Sequence, residues 1–150
     1  MNQDFLDLFE ALAAEGARFM VVGAHAMAVH GLPRATGHLD VWVDTDGDNL
    51  ERVLAALTRF GAPIDSLGLS PADLERPGQV VQIGLPPRRV DLLTTLSGLH
   101  FEQAWPGRVT HRIGAVEVPF IGRQDLVRNK RATGRARDLA DLEALGESLG

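Results

Sequence analysis

Residues 21–43 read VVGAHAMAVHGLPRATGHLDVWV. The apolar run Phe19 to Val22 stops at Gly23, and a short Ala-rich stretch, Ala24 to His30, follows it. Gly31-Leu32-Pro33 signals a turn, Arg34 and Thr36 come next, and the chain enters the alternating segment His38-Leu39-Asp40-Val41-Trp42-Val43. Alternation of this kind reads as a half-buried strand, and period two puts His38 and Asp40 on the same face. The expected local structure is a strand, a glycine turn opening a short helix, and a second strand with a polar pair at alternate positions.

On either side the pattern continues. Phe5, Leu8, Phe9 and Leu12 fall at i, i+3, i+4 and i+7, which predicts an amphipathic helix over 2–16 ended by Gly16. Asp46-Gly47-Asp48 suits the start of a helix with Leu50, Val53, Leu54 and Leu57 as its apolar stripe and Gly61 as its stop. Ser70-Pro71-Ala72-Asp73 opens a short helix, with serine as cap and proline in the first helical position. Gln79 to Leu85 and Arg88 to Leu93 predict a hairpin about Pro86-Pro87; Val109 to Ile113 and Ala115 to Phe120 predict another at Gly114. Gln124 to Ala132 and Arg135 to Leu149 read as two helices broken at Thr133-Gly134. The order predicts one α/β (α+β) domain over 1–150, a mixed sheet flanked by helices with two helices at the C-terminus.

The chain has 150 residues and no cysteine, so neither disulfides nor thiolate metal sites are available. No apolar run approaches the roughly 18 residues of a membrane span, and the acidic N-terminus is unlike a signal peptide. The expectation is a cytoplasmic protein with no membrane contact. Net charge is −5 and unevenly spread. Asp40, Asp44, Asp46, Asp48 and Glu51 have no base among them, whereas Arg108, Arg112, Arg123, Arg128, Lys130, Arg131, Arg135 and Arg137 face only Glu117 and Asp125 in sequence. This asymmetry suits acids that hold cations and bases that receive phosphates or nucleic acid; it equally suits two solvated faces. Lys130 is the chain's one lysine.

Carboxylates two apart on a strand reach one metal, and a third acid from a neighbouring strand completes such a cluster. Asp91, within Arg89-Val90-Asp91-Leu92-Leu93, is an acid in an apolar strand, where it needs a metal or a salt bridge to Arg88, Arg89 or another arginine. Backbone N–H groups at a glycine turn that opens a helix suit phosphate. His25 and His30 do not share a helix face well, and His100 and His111 read as surface or loop.

Taken together, Gly23-Ala24, Arg34-Ala35-Thr36, His38-Leu39-Asp40, Val90-Asp91-Leu92-Leu93, Leu126-Val127-Arg128-Asn129-Lys130 and Arg135-Ala136-Arg137-Asp138-Leu139-Ala140-Asp141-Leu142 resemble the minimal nucleotidyltransferase superfamily. Within it the chain is most similar to the small bacterial branch that includes AbiEii-type toxins of toxin–antitoxin systems. The resemblance covers about residues 18 to 145, and its specificity lies in the order of the pieces.

It implies a transfer of a nucleoside monophosphate from an NTP to an acceptor: a tRNA end or other RNA, a protein hydroxyl or a small molecule. Implied roles are Gly23 and Ala24 at the phosphates, Asp40 and Asp91 as catalytic metal ligands, and Lys130 as a phosphate-facing charge. Arg34 and Thr36 either touch phosphate or fix their loop, and Asp138 serves the nucleotide or pairs with Arg135. The implied cofactor is Mg²⁺, and an antitoxin is an implied partner.

His38 departs from the pattern, which has a carboxylate there. Imidazole is a poor Mg²⁺ ligand and suits Mn²⁺, Zn²⁺ or Ni²⁺ better. Three outcomes follow: catalysis and metal binding through His38 with one metal or a transition metal; lost catalysis with retained nucleotide or partner binding; or an altered residue in an active parent. A basic-faced nucleic-acid-binding domain is the further alternative.

Overall fold

A computed structural model describes residues 1–149. The elements run α1 (Gln3–Ala14), β1 (Phe19–Val22), α2 (Gly23–Val29), β2 (His38–Val43), α3 (Gly47–Phe60), α4 (Ile64–Leu67), α5 (Pro71–Glu75), β3 (Val80–Ile83), β4 (Arg89–Leu93), α6 (Phe101–Ala104) with a 3₁₀ turn at Trp105–Gly107, β5 (Val109–Ile113), β6 (Val116–Phe120), α7 (Arg123–Thr133) and α8 (Ala136–Ala144). The six strands form one mixed sheet in the order β3-β4-β2-β1-β6-β5. β2 pairs antiparallel with β1 and parallel with β4, and β1 pairs parallel with β6. The two predicted hairpins, β3–β4 and β5–β6, form the two edges.

The caps explain most boundaries. The Asn2 side chain accepts from the Phe5 N–H to start α1, whose Phe5, Leu8, Phe9 and Leu12 are buried as their spacing requires. Ser70 and Asp73 form a reciprocal capping box on α5. Gly61 and Gly134 close α3 and α7 in the left-handed conformation. Three differences from the sequence reading stand out. α8 ends at Ala144, not Leu149, because Leu145 and Gly146 turn the chain and Glu147 folds back to Arg123 and Arg131. The Asp46 side chain makes no capping bond; its own N–H donates to Asp44 Oδ1 instead. The short helices α4 and α6 carry too few residues for a periodic signal.

Period two divides β2 between two environments. Leu39, Val41 and Val43 join Val90 and Leu92 of β4 in the hydrophobic core with α1 and α3. His38, Asp40 and Trp42 occupy the opposite face. Trp42 is fully buried there, edge-on to Phe101 at 5.2 Å, and Phe101 stacks on Trp105 at 5.5 Å. That aromatic block closes one end of the face; the polar pair lies at the other end.

Candidate active site

The register brings the site together. Asp40 lies opposite Asp91 and His38 opposite Arg89 in the β2–β4 ladder, so one sheet face carries all four side chains. His38 Nε2 is 3.3 Å from Asp40 Oδ1 and 3.9 Å from Asp91 Oδ2. One ligand atom from each of His38, Asp40 and Asp91 lies within 4.8 Å of the others. Ligand atoms bound about 2.1 Å from a common ion sit about 3.0 Å apart in an octahedron and about 3.4 Å apart in a tetrahedron. The observed spacings fit a single divalent ion after small side-chain movement.

Asp91 is buried, and the position is not fully satisfied by protein. Arg89 Nη2 donates to Asp91 Oδ2 at 3.2 Å. Arg89 Nε lies 3.0 Å from Asp91 Oδ1, yet the two are not aligned, and both are buried atoms without a hydrogen bond. The salt bridge that is the alternative role for Asp91 is therefore present; only one of its two contacts is a hydrogen bond, and the oxygen that accepts it, Oδ2, is also the one that faces His38. Burial pushes the Asp40 carboxyl above its ordinary range; His38 opposes this, and the charge of Asp91 adds to it. A nearby cation would relieve that penalty. The donors present, one imidazole nitrogen and carboxylate oxygens, suit a divalent metal such as Mn²⁺.

Gly23 stands directly over Asp40. Its φ of +68° is left-handed, and a Cβ there would collide with Asp40 Oδ2. The neighbouring Val22 is Asp40's partner in the β1–β2 ladder. The turn into α2, with Gly23 and Ala24 at its start, is thereby fixed beside the acid. His25 lies in the same helix, edge-on to Phe5 at 5.7 Å, with Nε2 buried and unbonded. Burial lowers its pKa, the charges of His38 and the N-terminus add to this, and a hydrogen bond to the His38 backbone opposes it. His30 Nε2 donates to the Ile121 carbonyl at 2.8 Å, a structural role. His111 is exposed and edge-on to Phe120, and His100 is exposed at the start of α6, in line with a surface reading.

The other expected residues form a second polar assembly. Arg34 donates to Asp141 at 2.5 and 3.4 Å. Lys130 Nζ lies 2.9 Å from Asp141 and 3.6 Å from Asp138. Asp138 also receives Arg135 Nε and the Thr133 hydroxyl, both at 2.7 Å. Lys130 is only 12% exposed, so it is neither a solvated helix residue nor a free cation. Thr36 brackets the next strand: its hydroxyl donates to the His38 carbonyl at 3.1 Å and accepts from the His38 N–H at 3.3 Å. Arg34 and Thr36 thus fix the loop that leads into the site. The Arg135–Asp138 pair anticipated from spacing is present.

The basic C-terminal region is largely neutralised within the chain. Arg112 pairs with Glu117, Arg123 and Arg131 with Glu147, and Arg128 with Asp125. Among the described residues, Arg108 and Arg137 are the bases of that stretch without an acidic partner, and Arg108 stacks on Trp105 at 3.9 Å. From sequence, Arg89 enters only as one candidate partner for Asp91. Its signal was available, since residues two apart on a strand share a face. The Arg34–Asp141 contact spans 107 residues and left no local signal.

No protein-family model and no curated protein matches the chain. Among solved structures, a proposed nucleotidyltransferase of Thermotoga maritima matches with a TM-score of 0.62 and 10% sequence identity, over 93% of this chain and 88% of that one. The likeness is one of fold: the chain has a nucleotidyltransferase-like mixed sheet flanked by helices. Among the described residues, no helix is long and apolar enough to cross a membrane.

Proposed function

We propose that the chain is a metal-dependent nucleotidyltransferase that moves a nucleoside monophosphate from an NTP to a hydroxyl acceptor and releases pyrophosphate. The observation that carries this reading is the convergence of His38, Asp40 and Asp91 beside Gly23 on one face of a sheet with this fold. A divalent metal, Mg²⁺ or Mn²⁺, when bound supplies Lewis-acid stabilisation of the charge that develops on the phosphate oxygens. Asp40 and Asp91 would hold it through carboxylate oxygens and His38 through Nε2. Asp91 also accepts the proton of the attacking hydroxyl. Gly23 and Ala24 present backbone N–H groups to the phosphates. Thr36 holds the His38 backbone in register, and Arg34 anchors the same loop on Asp141, which Lys130 and Asp138 brace. The acceptor is a hydroxyl of an RNA, a protein or a small molecule, and the AbiEii-like branch adds an antitoxin as the partner to seek.

NTP binding in Mg²⁺ and in Mn²⁺ tests the reading on wild type, His38→Asp and Asp40→Ala. Wild type should bind NTP better in Mn²⁺, His38→Asp should gain in Mg²⁺, and Asp40→Ala should lose binding in both. Failure of wild type and His38→Asp to bind, with Asp40→Ala indistinguishable from them, removes the assignment. One feature favours a second reading, a non-catalytic nucleotide- or partner-binding domain: Arg89 and His38 already engage both acids. That reading requires NTP binding without turnover in both wild type and His38→Asp.

A further inference from the structure

We propose that Arg89 occupies the role of a second cation in this site, which makes it a one-metal centre; the inference rests on the metal-site reading above. Arg89 is placed for this by the ladder itself. It lies opposite His38, two residues before Asp91, on the face that carries both acids. Its guanidinium reaches both oxygens of Asp91, at 3.0 and 3.2 Å, and its side chain is only 27% exposed. This is a held position, unlike the surface ion pair Arg88–Asp4, in which the arginine is 68% exposed.

The charge balance follows from the residues. The cluster has two carboxylates, an imidazole that binds metals in its neutral form, and one permanently charged guanidinium. Before nucleotide binds, one divalent ion carries the cluster a single charge past neutrality. A second would leave a threefold positive excess among groups already drawn from water, where like charges repel strongly. The ligand-atom spacings, 3.3 and 3.9 Å about His38 Nε2, also describe one coordination sphere. Asp91 Oδ2 faces His38 while it accepts from Arg89, so a metal that takes this oxygen competes with the guanidinium. Once displaced, Arg89 has the planar fork that suits a phosphate of the bound nucleotide.

The test is titration of the full chain with Mn²⁺ alone, following free Mn²⁺ by electron paramagnetic resonance and melting the same samples. Wild type should bind one Mn²⁺ per chain. Arg89→Gln should bind it about tenfold tighter or more, because a neighbouring positive charge is gone, whereas Arg89→Lys should stay near wild type. Arg89→Gln should melt lower without Mn²⁺, with Asp91 left buried and unpaired, and gain more on its addition. Two Mn²⁺ per wild-type chain, or an Arg89→Gln affinity equal to or weaker than wild type, overturns the inference and leaves the metal site standing. Absence of Mn²⁺ binding by both wild type and His38→Asp overturns the metal site and the inference together. The wild-type stoichiometry requires no variant, so two Mn²⁺ per chain overturns the inference even if Arg89→Gln does not fold, and Arg89→Lys then carries the test of the arginine itself.

Discussion

Gly23 and Asp40 are built against each other: the carboxylate oxygen Oδ2 of Asp40 fills the space that a Cβ at residue 23 would need. The glycine is demanded twice, by this contact and by a left-handed φ of +68°. The contact ties the start of α2, where phosphate would bind, to the acid that would hold the metal. A change at either residue is therefore felt by the other.

Gly23→Ala should cost about 2–3 kcal/mol of stability, from left-handed strain of about 1–2 kcal/mol and from displacement of Asp40. Mn²⁺ affinity should fall with it. Melting curves with and without Mn²⁺ measure both effects. Metal affinity unchanged in a folded Gly23→Ala protein would mean that Asp40 can move aside without consequence for the site.

Arg34 is expected to act on the site from a distance, through Thr36 and the His38 backbone. Arg34→Ala should lower Mn²⁺ affinity, because the loop from Arg34 through Thr36 to His38 loses its anchor on Asp141, and cost about 1–3 kcal/mol of stability. Arg34→Lys should restore part of the affinity. Equal metal binding by wild type and Arg34→Ala would confine Arg34 to the Asp141 brace.

The brace between α7 and α8 sets the acid limit of the fold. Burial alone would raise the pKa of Asp138, but hydrogen bonds from Arg135 and Thr133 outweigh it and hold the carboxyl far below the usual range. Asp141 is likewise lowered, burial being outweighed by Arg34 and Lys130. A depressed folded-state value means that the unfolded chain takes up these protons first as pH falls. The stabilisation is complete above the unfolded value of about 3.9 and drains away as pH falls from there through the folded values. Wild type should therefore lose stability steeply below about pH 4, and Asp138→Asn should flatten that slope while lowering neutral-pH stability by about 3 kcal/mol or more. Urea melts across pH check this; parallel slopes for the two proteins would contradict it.

Asp40 has the opposite sign. Its carboxyl is raised, first by burial, so its ionised form opposes folding above the ordinary carboxylate value. Asp40→Asn should raise the metal-free melting temperature by ~2–4 °C and abolish the upward shift that Mn²⁺ gives wild type. Mn²⁺ binding by wild type should also weaken on acidification sooner than an ordinary carboxylate would require, because a proton competes for Asp40. A lower melting temperature for metal-free Asp40→Asn would contradict the first of these.

Much of this arrangement was legible in the sequence because it is written in local periods. The alternation over His38 to Val43 marked β2 and the face of its polar pair, and the apolar runs on either side of Pro86-Pro87 placed Asp91 on a second strand. The turn at Gly134 and the cap at Ser70 marked helix ends at their true positions. What stayed hidden depends on which segments meet. The parallel pairing of β2 with β4 sets Asp40 opposite Asp91, and no local pattern encodes it. Lys130 looked like a free cation because Asp141 and Asp138 reach it only when α8 folds back on α7. The basic stretch looked larger than it is because Glu147 lies beyond it in sequence and returns to Arg123 and Arg131.

Transfer of an α-radiolabelled nucleotide in Mn²⁺, with pyrophosphate release followed in parallel, bears most directly on the chemistry assigned to His38, Asp40 and Asp91. Wild type should transfer label with stoichiometric pyrophosphate, and Asp91→Asn should retain its fold and lose transfer by about 100-fold or more. Label transfer at the wild-type rate by folded Asp91→Asn and Asp40→Asn would contradict the assignment of the reaction to this site.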